Sequence, residues 1–175
     1  MSTALVDPLR HNAWATRELI AFCRGLRPEQ LQATSEGNYG TILATLQHII
    51  AAEARYRSRL AGATPDWPSD PEETEDLDEL GRMAEDMARY WDEFAAGDFD
   101  AERVISWVSP VSGSLSEAEA GILVAQTLNH GNEHRAQIAT ILTTIGIEPP
   151  HLDGWTYAVA TGRFRETPPR PEPTP

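Results

Sequence analysis

Four long segments of this chain carry apolar side chains at the spacing of an amphipathic α-helix, and this pattern constrains the fold more than any other feature. The clearest segment covers about residues 75–96 and repeats apolar side chains every three or four positions: Leu77, Leu80, Met83, Met87, Tyr90, Trp91 and Phe94. Such a stripe lies on one face of a helix and is stable only when buried against other elements. Four stripes without strong strand patterns predict an all-α fold, a four-helix bundle.

The first two helical segments have recognisable ends. In the first, Asp7 is expected to be the N-cap with Pro8 at the first helical position, and Gly25 ends the run. The second covers about residues 40–60, and His48 borders its apolar face. Because the linkers between the helices are long, crossover connections are compatible with the sequence.

The second half of the chain is less regular before its last long helix. Residues 97–115 alternate with period two, which predicts an extended connection or a short hairpin. Ser116 is then expected to open the fourth helix in a capping box with Glu119, and the helix should run to about Ile145. A short C-terminal helix is predicted within the sequence DGWTYAVATG.

Length and composition indicate one soluble domain, expected at residues 1–165, followed by a proline-rich, disordered tail at 166–175. The chain has 14 basic and 27 acidic residues, a net charge of −13, so it should repel phosphate backbones and bind no nucleic acid. No apolar run is long enough to span a membrane and no secretory signal is evident, so we expect no membrane partner and a cytoplasmic location.

The residue types present limit the chemistry that the chain can perform. All basic residues are arginine, which excludes mechanisms that use a lysine. Cys23 is the only cysteine and lies on the apolar stripe of the first helix, where a core position is expected. A zinc site built from several cysteines is therefore excluded, and any metal must be held by His, Asp or Glu.

The sequence NHGNEHRAQI, residues 129–138, places two histidines on one face of the last long helix. His130 and His134 are four residues apart and can direct both imidazoles at one point, whereas Glu133 points about 100° away around the helix. Two buried imidazoles need partners, which could be a cation, water, or polar neighbours such as Gln126 and Gln137. The stretch also contains the H-x-x-E-H pattern of some metalloproteases, an interpretation that the position of Glu133 disfavours.

A third histidine would complete a metal site between facing helices. His48 is the other histidine in the middle of a predicted helix, and three neutral imidazoles leave an open position on a divalent ion, as in catalytic sites. Zinc, nickel, copper and iron all suit such ligands. His11 and His151 lie near helix ends and are expected to have surface or capping roles.

The motifs HNAWATRELI, TILATLQHIIAAEARYRSRLAG, NHGNEHRAQIATILTTIG and IEPPHLDGWTYA, in this order, resemble the DinB-like (DinB/YfiT-like) superfamily of four-helix metalloproteins over most of residues 5–160. The resemblance implies a divalent metal, commonly zinc or nickel, bound by His48, His130 and His134. It also implies a homodimer. Related branches are metal-dependent transferases or isomerases that act on a small-molecule substrate and use a low-molecular-weight thiol, such as bacillithiol or mycothiol.

Three functions are therefore compatible with the sequence. The first hypothesis is a metal-dependent thiol S-transferase, in which the cosubstrate thiolate attacks an electrophile and the protein needs no nucleophile of its own. The second is a metal-dependent hydrolase that activates water. The third is a metal-binding or stress-response protein without catalysis.

Overall fold

The computed structural model describes residues 5–109 and 112–167. Within these ranges the elements follow in this order: α1 (Val6–Cys23), α2 (Pro28–Leu31), α3 (Ile42–Ala61), α4 (Leu77–Ala96), β1 (Val104–Val108), β2 (Leu115–Glu119), α5 (Ala120–Thr144) and α6 (Gly154–Ala160). The predicted all-α class with four long helices and a short C-terminal helix is confirmed. No helix in the described part of the chain is both long and apolar enough to cross a bilayer.

The four long helices pack in a ring in which chain neighbours are not always spatial neighbours. The principal contacts are α1 with α4, α3 with α5, α1 with α5, and α3 with α4. Helices α1 and α3 therefore lie on one diagonal of the bundle, and α4 and α5 lie on the other. The chain crosses a diagonal of the bundle twice, from α1 to α3 and from α4 to α5. Each of these crossings needs a long connection, which explains the long linkers at these two places in the sequence.

The core consists of two apolar clusters, one toward each end of the bundle. One contains Leu19 and Ile20 of α1 together with Ile138 of α5, and the other contains Leu9 of α1 and Trp91 of α4. Between them the long helices bury polar side chains: Asn12, Thr16, Glu53, Thr127, His130, His134 and Arg135. The candidate histidines thus belong to a polar layer across the middle of the bundle.

Residues 104–119 form a hairpin that confirms the predicted extended connection and corrects the expected start of the last long helix. Strands β1 and β2 are antiparallel, with Trp107 opposite Ser116 and Val104 opposite Glu119. Ser116 is therefore a strand residue and not an N-cap, since α5 begins only at Ala120. Strand pairing with β1 overrides the local capping signal.

Other details differ from the expectations. Helix α1 begins at Val6, and Asp7 lies in its first turn, where its carboxylate accepts hydrogen bonds from Arg163 instead of capping the helix. The polar linker after α1 contains the short helix α2, which the sequence did not reveal. The proline-rich tail lies outside the described residues from position 168 onward.

Candidate metal centre

Three histidines come together where α3 packs against α5. His48 lies on α3, and His130 and His134 lie one turn apart on α5. Nε2 of His48 is 3.1 Å from Nε2 of His130, and the three ring centroids are 4.3–4.9 Å apart. Each residue offers one nitrogen within 4.8 Å of the other two, so the cluster could hold a divalent metal ion.

The three histidines differ in whether their Nδ1 atom has a hydrogen-bond partner. Nδ1–H of His134 donates to Oε1 of Gln137 at 2.9 Å, which leaves Nε2 of His134 with a free lone pair. The same amide oxygen accepts the backbone N–H of Tyr39 at 3.2 Å, and this supports its assignment as oxygen. Nδ1 of His48 and Nδ1 of His130 are buried and have no hydrogen-bond partner among the described residues.

Burial favours the neutral forms of His48 and His130. It lowers the pKa of His130 to about 4, with further lowering by the neighbouring His134 and His48. It likewise lowers the pKa of His48, with further lowering by the neighbouring His134. Because a metal binds the neutral form of imidazole, these two side chains are already in the ligand state at neutral pH.

The distance between the imidazole nitrogens fits a tetrahedral metal ion. Two nitrogens on a tetrahedral zinc ion, with Zn–N distances of about 2.0–2.1 Å, lie about 3.3 Å apart. The separation of 3.1 Å between His48 and His130 is close to this value. The described residues add no carboxylate or thiol to the group, so the histidines supply three ligands and leave a position for an external one.

Two tyrosines flank the cluster. The ring of Tyr39, in the loop before α3, stacks on His48 with centroids 4.0 Å apart and remains 53% exposed. Tyr56 meets His130 edge-on at 5.9 Å. The role of Tyr39 was missed because its loop has no periodic pattern, whereas Tyr56 lies on the predicted stripe of α3. Both rings therefore pack directly against imidazoles of the cluster.

A buried hydrogen-bond network lies in the same polar layer. Asn12 donates to Glu53 at 2.8 Å, and Trp91 donates to the other carboxylate oxygen at 3.1 Å. Arg135 donates to Asn12 Oδ1 at 2.8 Å and to Thr16 at 3.0 Å. The network joins all four long helices, and Arg135 directly follows His134. Its members are polar residues on apolar stripes, the one sequence signal that could have identified them.

Burial perturbs both charged members of this network. It raises the pKa of Glu53 despite the opposing hydrogen bonds from Trp91 and Asn12. It lowers the pKa of Arg135 to about 10, against the attraction of Glu53. Glu53 bonds to Asn12 and Trp91 and to none of the three histidines, so it supports the bundle and does not orient the cluster.

Several other polar residues do not belong to the group of potential ligands. Glu133 is exposed, as its helical phase predicts, and Asn129 and His151 are exposed as well. His11 is half-buried, and its Nε2 contacts the backbone oxygen of Leu152 at 2.7 Å while its ring packs against Tyr157. Cys23 is fully buried, and burial raises the pKa of its thiol to about 12.

Comparison with known proteins agrees with this architecture. A family profile described as the DinB family matches residues 1–170, which include all the helices, the hairpin and the three clustered histidines. No curated protein matches the chain. A match over nearly the full length is sufficient to assign the family. The chain therefore belongs to the DinB family.

Proposed function

We propose that His48, His130 and His134 bind one divalent metal ion, zinc or nickel, and that the protein is a metal-dependent enzyme that transfers a low-molecular-weight thiol to an electrophile. The observation that carries the proposal is the convergence of three imidazoles from two helices, without a carboxylate or thiol from the described residues. A three-nitrogen set with one open position is typical of catalytic sites, whereas structural sites fill all four positions.

The thiol is the part of the proposal that depends most on the family resemblance. When bound, the metal would stabilise the thiolate of the cosubstrate at neutral pH. The chain itself offers no competing nucleophile of this kind, because it lacks lysine and its one thiol is buried and protonated. The described site residues instead bind and orient, since Gln137 fixes the ring of His134 and Tyr39 covers one face of His48.

Conjugation to monochlorobimane tests the reaction. A carbon–sulfur bond forms, the carbon–chlorine bond breaks, chloride leaves, and the thiol proton passes to solvent. We expect metal-loaded protein to accelerate conjugation of bacillithiol or mycothiol. His130→Ala should abolish the acceleration, whereas His151→Ala, an exposed histidine outside the cluster, should leave it unchanged.

A second measurement follows the metal itself. Cobalt-substituted protein should change its visible spectrum when the thiol is added, because sulfur coordination to cobalt alters the spectrum. A metal-loaded protein that shows neither the spectral change nor conjugation contradicts the transferase proposal. Turnover of simple esters without thiol, lost in His130→Ala, would instead identify a hydrolase.

A further inference from the structure

A cleft of about 630 Å³ lies alongside α3, on the side of the connection from α3 to α4. Its walls include Arg55 and Arg59 of α3, Trp67 and Pro68 of the connection, and Trp107 of β1. The volume lies in the range of pockets that hold small organic molecules. Aromatic and arginine side chains together suit a ligand that is partly apolar and partly anionic.

The arginines of the cleft and His48 of the histidine cluster lie on the same face of α3. Arg55 and Arg59 follow His48 by seven and eleven residues, about two and three helical turns, so the three side chains share one stripe. Arg55 acts electrostatically on both His48 and His130. A molecule lying along the stripe can therefore extend from the distal arginine toward the histidines over a distance of about 16 Å.

Arg59 is the cation in this cleft that lacks a counter-charge. Ion pairs occupy many arginines of the described chain: Arg10, Arg17, Arg24, Arg27, Arg55, Arg57, Arg89 and Arg163. Arg59 has no carboxylate partner among the described residues, although the chain has an excess of acids. Its guanidinium instead lies 4.5 Å from the ring centroid of Trp107, a cation–π contact that holds it in place.

The nearby acidic side chains are already engaged. Glu72 accepts a hydrogen bond from Arg55 at 3.0 Å, and Asp70 accepts one from the backbone N–H of Glu72 at 2.9 Å. Neither of these contacts involves Arg59. The distal end of the cleft therefore presents a positioned, planar, uncompensated guanidinium beside an indole ring, a combination that recognises a carboxylate.

We propose that this cleft binds the electrophilic substrate, and that the substrate is an elongated organic acid whose carboxylate pairs with Arg59. The apolar part of the acid packs against Trp107 and Trp67, and its reacting end extends toward the histidines. The part of this proposal that concerns the reacting end of the acid rests on the proposed function, whereas the binding of the carboxylate by Arg59 does not. The two parts can therefore be tested separately.

The probe is 4-phenylbutyrate, with 4-phenylbutyramide as its neutral counterpart. Isothermal titration of metal-loaded protein should show at least about fivefold tighter binding of the acid, the effect of one charge-assisted hydrogen bond. Arg59→Gln should remove this preference, and Arg59→Lys should retain part of it by keeping the charge. Arg82→Gln, which removes an arginine outside this cleft, should leave the preference unchanged.

The double variant His130→Ala/His134→Ala separates this proposal from the proposed function. We expect it to lose metal but to keep the preference for the acid. If the preference disappears in the double variant and survives Arg59→Gln, the acid binds the metal directly and the cleft proposal is overturned, while the metal site stands. Equal binding of acid and amide by the unmodified protein overturns the cleft proposal as well. If the unmodified protein binds no metal under metal-replete conditions but shows a preference that depends on Arg59, the cleft proposal stands and the proposed function is refuted.

Discussion

Nε2 of His48 lies 3.1 Å from Nε2 of His130, although eighty-two residues separate them in the chain. The contact exists because α3 and α5 are adjacent in the bundle and each places an imidazole on the face toward the other. Without a metal, two neutral imidazoles at this distance can share one hydrogen bond at most. A shared cation would use both lone pairs, and for this reason the pair is central to the proposed site.

Gln137 should control metal affinity through His134. Gln137→Leu removes the acceptor for Nδ1–H of His134, so the ring loses the hydrogen bond that fixes its tautomer and orientation. We expect the dissociation constant for zinc to rise about 10- to 100-fold. Competition with a chromogenic chelator measures the change.

Two matched variants control this experiment. Gln137→Glu retains an acceptor and should keep affinity near that of the unmodified protein. Asn129→Leu alters an exposed residue of the same helix and should have little effect. Equal zinc affinity for Gln137→Leu and the unmodified protein would show that Gln137 does not orient His134.

Gly131 should be intolerant of a side chain. A Cβ atom there would lie 2.4 Å from Oδ1 of Asn12 and 2.8 Å from Nη1 of Arg135, in the buried network. We expect Gly131→Ala to lower the free energy of unfolding by about 2–4 kcal/mol, because it displaces Asn12 and Arg135 from their buried hydrogen bonds to each other. Urea denaturation measures this loss.

Gly81 provides the matched control for Gly131. It also lies inside a helix, and a Cβ atom there would meet the guanidinium of Arg24, a partly exposed side chain that can move aside. Because alanine has the higher helix propensity, Gly81→Ala should change stability by less than about 1 kcal/mol. Similar losses at both glycines would contradict the special role of the network around Gly131.

Asp86 should make stability depend on pH in the acid range. Burial raises the pKa of this carboxyl, but hydrogen bonds from Arg57 at 2.6 Å and Trp67 at 3.0 Å, with the charge of Arg57, outweigh it and lower the pKa below 3.8. The stabilisation is therefore complete above the unfolded-state pKa and is lost as pH falls through the lower folded-state value.

The corresponding variant is Asp86→Asn. It should lower the free energy of unfolding by about 1 kcal/mol at pH 7, and the difference from the unmodified protein should shrink below about pH 3.8. Asp92→Asn, in an exposed ion pair with Arg10, should cost less than about 0.5 kcal/mol. A difference for Asp86→Asn that stays constant from pH 7 to pH 2.5 would contradict the assigned pKa direction.

Cys23 should not react with thiol reagents in the folded protein. Burial raises the pKa of its thiol to about 12, so the reactive thiolate is scarce at pH 8 and the sulfur is inaccessible. A disulfide reagent such as Ellman's reagent should label the native chain only at the rate of unfolding, and should label one thiol per chain in denaturant. Rapid native labelling would show that Cys23 is accessible.

The sequence predicted the long helices and the buried faces because their apolar stripes are strong local signals. Cys23, Ile49, Met83 and Ile138 lie on such stripes, and all are buried in the structure. The capping prediction at Ser116 was wrong because Ser116 pairs with Trp107 of β1, which lies outside the segment that a capping motif covers. A local capping motif does not predict whether a segment pairs with another strand.

The candidate site could be predicted only in part. His130 and His134 share a helix face, so their proximity follows from the sequence, whereas His48 needed the packing of α3 on α5. The stacking of Tyr39 on His48 arises from a loop without periodic structure. The hydrogen bond between Arg135 and Asn12 joins α5 to α1. The sequence around either residue does not indicate which residue is its partner.

Elemental analysis of protein purified without a histidine tag under metal-replete conditions tests the central claim most directly. We predict about one divalent metal ion per chain for the unmodified protein and for His151→Ala, which alters an exposed histidine. His130→Ala and His48→Ala should retain little or no metal. A metal-to-chain ratio near zero for the unmodified protein, or a ratio that these two variants leave unchanged, would contradict the proposed site.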